Sequence, residues 1–201
     1  MKNILYLASK STSRKKLLER AGIPFEIIQQ EADESQCDWG LSLQKVVESI
    51  AIHKMQHVIM PQGIDGQIAF VLTADTLSVD TTGAISGKPD DMADAIAKVK
   101  AARGGINQCG TAYCLEKKIF KNGSWQVIKQ VIGYAHATYE FEVPDELIIP
   151  YIEKSGAIEA AGAIKIEDGP QFFKSMNGSY TAIIGLPMYQ LWKDLSQFSF
   201  W

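Results

Sequence analysis

The chain has 201 residues, 46% of them hydrophobic and 21% charged, with a formal net charge of -3. That length and composition suit one compact domain, or two closely joined lobes, around a sizeable core. The slightly acidic balance supplies no global field for nucleic acid or an anionic membrane, so any anion-binding site is local. Cys37, Cys109 and Cys114 are odd in number and form no Cys-x-x-Cys pair, which reads as free thiols in a reducing cytoplasm. The start, Met1-Lys2-Asn3, leads into an apolar run too short for a signal sequence. No stretch approaches the roughly 20 apolar residues of a membrane span.

Residues 4–8 form a continuous apolar run and predict a buried first strand. A hydroxyl-rich turn, Ser9-Lys10-Ser11-Thr12-Ser13, precedes a helix predicted over residues 14–22. Ser11 or Thr12 suits its N-cap, Leu17, Leu18 and Ala21 its buried face, and Gly22 its stop. The first amides of a helix lack intrahelical partners, so a strand running into such a turn makes an anion site. Lys10, Arg14, Lys15 and Lys16 surround it. Cations there oppose the helix dipole, which favours a phosphate reading over a solvated basic turn with an ordinary capping serine.

Residues 24–28 predict a second strand, and Glu31 to Glu34 with Cys37-Asp38 an acidic loop. Such a loop is ordinarily solvated; here it offers a second carboxylate if a metal needs one. An amphipathic helix is predicted over residues 42–60, with Leu43, Val46, Val47, Ile50 and Ala51 on one face and Lys54 a turn further on. His53 and His57 have zinc-chelating spacing, but no Glu follows His53 and only His136 remains as a third histidine, so zinc is set aside. The apolar run 70–72 delivers Asp75 where the apolar residues stop, and Leu77 to Val79 leads to an Asp80-Thr81-Thr82-Gly83 turn. The chain returns through Gly87-Lys88-Pro89, and a hairpin of this kind can bring Lys88 to the same sheet edge as Asp75. One fixed anion and one fixed cation suit a metal-bound phosphate ester; the alternative is a surface Asp and Lys flanking a turn.

Further along, helices are predicted over residues 93–102, 143–154 and 188–195, and strands over 109–115 and 124–141, the latter after an Asn122-Gly123 turn. Residues 156–178 are glycine-rich and hold Lys165, Glu167 and Asp168. Strands and helices alternate in the first half, so the fold class is α/β with a mixed sheet.

Three stretches, LASKSTSRKKLL (residues 7–18), ADTLSV followed by GKP (74–89), and GSY with GLP (178–187), stand in the order found in Maf-like nucleoside triphosphate pyrophosphatases. The chain resembles that family over nearly its whole length. The resemblance implies a single domain over residues 1–201, an elongated mixed β-sheet flanked by helices, and two lobes around a central cleft. It further implies a homodimer, Mg2+ or Mn2+, cleavage of a nucleoside triphosphate to the monophosphate and pyrophosphate, and in some members a link to septum formation.

Carried over by position, the family's phosphate loop falls on Ser11, Thr12, Ser13 and Arg14, its acidic residue on Glu34 and its helix lysine on Lys54. The central aspartate falls on Asp75 and the Gly-Lys-Pro lysine on Lys88. The chain departs from the pattern at Thr12 and Ser13, where a proline and an arginine are usual, and at Asn107, where a histidine is common. The Lys165-x-Glu167 pair is more similar to the subgroup acting on 7-methylguanosine triphosphate than to thymidine or uridine triphosphate enzymes, which carry a Gln. A carboxylate accepts from the ring N–H and amino donors of a guanine edge. On this footing Asp75 and Glu34 hold the metal, and Asp75 also orients or deprotonates the attacking water. Arg14, Lys54 and Lys88 stabilise the triphosphate charge, Ser9 and Ser11 donate hydrogen bonds to it, and Glu167, oriented by Lys165, reads the base. Two other classes compete. One is a nucleotide-binding or cell-division regulatory protein without turnover; the other is a phosphatase of small esters, which would release orthophosphate.

Overall fold

The structure, a computed structural model, describes residues 3–201; the Met1-Lys2 start lies outside the described residues. It is a mixed α/β fold built on a seven-stranded mixed sheet. β1 (Leu5–Leu7), β2 (Phe25–Ile27) and β5 (Ile68–Val79) are parallel neighbours, with β1 in the middle. Parallel strands need crossovers, and the two helices of the first half supply them. α1 (Thr12–Arg20) connects β1 to β2, and α2 (Leu43–Gln56) lies between β2 and β5. β5 is followed in the sheet by β7 (Ile106–Lys121), β8 (Ser124–Phe141) and β9 (Phe173–Gly178), while β6 (Ile85–Ser86) pairs antiparallel with β5. A separate two-stranded sheet joins β3 (Gln29–Gln30) to β4 (Val58–Ile59).

The chain divides into two compact units. The first comprises the N-terminal stretch through Asp75, Ala112–Tyr134 and Leu186–Trp201. Its core sets the fully buried Val46, Val47 and Ile50 of α2 with Leu5, Leu7, Phe70 and Leu72. α6 (Met188–Gln197) contributes the buried Leu191 and Leu195, and the Tyr113 hydroxyl donates to its Asp194. Phe200 meets the Phe70 ring edge-on at 5.0 Å. The second unit comprises Thr76–Thr111 and Ala135–Gly185. Here α3 (Met92–Ala101) packs against α4 (Ile148–Ser155). Phe141, Tyr151, Phe172 and Phe173 form an aromatic cluster with ring centroids 5.2 to 6.3 Å apart. Thr111 donates to the Ala182 carbonyl at 2.6 Å and so fastens the short helix α5 (Tyr180–Ile184). Among the described residues no helix is long and apolar enough to cross a membrane.

Several boundaries differ from the sequence expectations, each for a physical reason. The helix expected over 42–60 stops at Gln56, because Val58–Ile59 leaves it to pair with Gln29–Gln30. The strand expected over 109–115 extends to Ile106–Lys121, since long sheet neighbours satisfy its polar ends as well as its apolar centre. The runs on either side of Asp75 are one strand, Ile68–Val79. The helix expected over 143–154 opens as a 3-10 turn, Asp145–Leu147, before α4. Within the glycine-rich tract, Phe173–Gly178 pairs with β8 as an exposed edge strand that no apolar alternation announced.

Candidate active site

The first unit gathers six of the residues singled out in the sequence. β1 ends into the Ser9-Lys10-Ser11 turn, where the Ser11 amide donates to Ser9 Oγ at 3.2 Å. Ser11 is the N-cap of α1, its hydroxyl accepting from the Arg14 amide at 3.4 Å. The Arg14 side chain turns inward instead of extending into water. It is only 9% exposed, and its guanidinium donates to Ser9 Oγ at 3.1 Å. A buried charge needs partners, and the neighbouring negative charges belong to Asp75 and Glu34. Burial pulls the Arg14 pKa below its ordinary value, and those two carboxylates oppose the shift.

β5 carries Asp75 to a position 5% exposed, and α2 presents Lys54, 7% exposed, from its last turn. Lys54 Nζ donates to Asp75 Oδ1 at 2.6 Å and lies 2.8 Å from Glu34 Oε1. One ammonium therefore bridges the two carboxylates. Glu34 opens a 3-10 turn, Glu34–Gln36, capped by Asp33, whose carboxylate accepts from the Ser35 amide at 3.1 Å. The Trp39 indole donates to the Glu34 carbonyl at 3.2 Å and pins the same turn from its other side. Burial raises the Asp75 pKa above the ordinary carboxylate value, against the opposing pull of Lys54 and Arg14. Asp75 Oδ2 is buried with no hydrogen-bond partner. A buried carboxylate oxygen without a donor is rare, and it suits a cation or a water as its missing neighbour.

The three remaining residues belong to the second unit. β5 and β6 pair as a hairpin, Ser78 opposite Ser86, with Lys88 two residues beyond. Lys88 Nζ lies 2.9 Å from Glu159 Oε2, an exposed ion pair. Lys165 Nζ donates to the Ser155 carbonyl at 2.7 Å and lies 2.8 Å from Asp168 Oδ2. Its ammonium is thus engaged by the C-terminal end of α4 and by Asp168. Glu167 itself is half-buried. Asn107, at the position where the family commonly has a histidine, is 1% exposed and donates to the Ala102 carbonyl at 2.7 Å. Trp39, Ser155 and Glu159 were not singled out, and Asp33 and Asp168 entered only as members of the acidic loop and the glycine-rich tract. Of these only Asp33, two residues before Ser35 in an Asx-turn spacing, carries a local signal.

Hard carboxylate oxygens converge on one buried cation, beside a buried arginine and a serine-capped helix. The family model described as Maf-like protein matches residues 4–198. The chain belongs to the Maf-like protein family. It is 33% identical over 195 residues to the dTTP/UTP pyrophosphatase of Chlorobaculum parvum, covering 95% of this chain and 92% of that one. It is 32% identical over 201 residues to the dTTP/UTP pyrophosphatase of Bacillus cereus, covering 99% and 91%. A protein of the same name from Bacillus anthracis is 31% identical over 197 residues, covering 97% and 95%.

Proposed function

We propose that this protein hydrolyses a nucleoside triphosphate to the monophosphate and pyrophosphate. The observation that carries the reading is the buried Asp75–Lys54–Glu34 cluster beside Arg14 and the Ser9–Ser11 turn. Cleavage between the α and β phosphates needs charge neutralisation along the chain and a positioned water. Arg14 and Lys54 supply fixed positive charge, and the Ser11 cap holds the α1 amides toward an anion. Asp75 is the general base or water-orienting group, a role suited to a buried carboxylate with one oxygen held by Lys54 and the other unpartnered.

Asp75 and Glu34 fit a divalent ion, since Mg2+ typically takes one or two carboxylates and completes its shell with water and substrate phosphates. The unpartnered Asp75 Oδ2 is consistent with that fit. Among the described residues no group of three or more His, Cys, Asp or Glu could hold a metal without substrate. When bound, Mg2+ or Mn2+ would supply charge neutralisation for the polyphosphate. Lys88, Lys165 and Glu167 enter the reading through the resemblance, Lys88 as a further phosphate cation and Glu167 as the base reader.

Two base preferences have support. Glu167, an acceptor, favours a guanine-type edge such as 7-methylguanosine triphosphate. The relatives' names favour thymidine and uridine triphosphates. Pyrophosphate release from a panel including all three, with and without Mg2+, tests the reading. Metal-dependent pyrophosphate from at least one nucleotide is expected. Orthophosphate as the product, or binding without any turnover, would sink the pyrophosphatase assignment, and the ranking of substrates decides the base.

A further inference from the structure

The two carboxylates proposed to hold a divalent ion are already occupied by a cation of the protein itself. Lys54 Nζ, with three donors, contacts one oxygen of Asp75 and one of Glu34 at 2.6 and 2.8 Å. Lys54 and Asp75 are almost fully buried, as is Arg14, so a charge left there without its partner is costly. Two positive and two negative groups balance within the cluster. A bare divalent ion therefore competes with Lys54 for the same two carboxylates, and displacing it would leave a buried ammonium without its counter-charge.

We infer that Lys54 acts as a plug in the carboxylate pair of the nucleotide-free protein, so that a divalent ion enters with the triphosphate and not before it. The triphosphate supplies the negative charge that Lys54 needs on leaving, and the vacated oxygens then join Asp75 Oδ2 in facing the ion. Lys54 thus has two alternative partners, the carboxylates in one state and the phosphates in the other. Metal and nucleotide are coupled through it, each raising the affinity for the other. The inference rests on the assignment of the metal to Asp75 and Glu34 under the proposed function.

Mn2+ titrated into nucleotide-free protein, followed by loss of the free-ion paramagnetic resonance signal, tests it. Lys54→Met, close in length and uncharged, is expected to take up Mn2+ at least about tenfold more tightly than the wild type. Lys54→Arg, which keeps the charge, is expected to show no such gain. Equal affinity in the wild type and Lys54→Met overturns the plug, as does micromolar Mn2+ binding by the nucleotide-free wild type. Should Lys54→Met fail to fold by circular dichroism, the wild type carries the test with an α,β-methylene nucleoside triphosphate. Mn2+ uptake beyond that of the analogue alone is expected to tighten at least about tenfold when the analogue is bound, and an unchanged affinity overturns the inference. Failure of every analogue to bind counts against the nucleotide reading, and the plug is then judged on the nucleotide-free wild type alone, which micromolar Mn2+ binding overturns and weaker binding supports.

Discussion

Asp75 and Glu34 share one lysine but not one environment. The Asp75 side chain is 8% exposed and that of Glu34 is 43% exposed. Charge interactions strengthen as water is excluded, so Asp75 is the more consequential of the two. Asp75→Asn keeps the shape and removes the charge; kcat for pyrophosphate release is expected to fall about 10²- to 10⁴-fold, the usual worth of a positioned acid–base group. A rate within a factor of two of wild type would show that the metal and water roles lie elsewhere. The pH profile carries a second check. Burial raises the Asp75 pKa in the nucleotide-free protein, and a divalent ion on the same carboxylate would oppose that shift, so the acid limb should move to lower pH when metal and nucleotide are bound.

At the scale of the elements, the site depends on how strands and helices end. α1 begins on Ser11, and Ser11→Ala removes the cap at a cost of about 1 kcal/mol, read as a lower urea midpoint with an unchanged slope. No loss of stability would mean that another group caps the helix. The turn carrying Glu167 is held by Lys165, whose ammonium bridges the Ser155 carbonyl and Asp168. Asp168→Asn frees one side of that clasp. If Glu167 reads the base, the ratio of kcat/KM between guanine-type and pyrimidine triphosphates should move by several-fold; an unchanged ratio would separate the clasp from recognition. In the first unit, a Cβ at Gly133 would fall 2.1 Å from the Tyr113 ring. Gly133→Ala must displace that ring from its hydrogen bond to Asp194, and a loss of about 1–3 kcal/mol is expected, the usual cost of overpacking.

For the molecule as a whole, burial sorts the three thiols. Cys109 and Cys114 are buried, whereas Cys37 is half-buried. Burial, with Glu116 nearby, pushes the Cys114 pKa up to about 12, so its reactive thiolate is scarce at pH 8. A thiol reagent at that pH should label Cys37 alone in the native protein and all three in denaturant. Native labelling of Cys114 would mean that the strand pair around it opens. Much of the fold was legible before the structure, because β1, α1, β5 and β8 are marked by local apolar runs and by capping or turn residues. Arg14 behind a capping serine was legible on the same grounds, whereas Asp75, expected where its strand stops, lies inside the continuous β5. The two-residue strands β3 and β4 and the edge strand β9 were not, since their pairing depends on partners far along the chain. What the amino-acid order determined by itself was the inventory: which carboxylates, cations and hydroxyls stand near the ends of which elements. Only tertiary structure decided who partners whom. That Lys54 lies between Asp75 and Glu34 follows from long-range packing that excludes water and forces a buried charge onto the nearest opposite one.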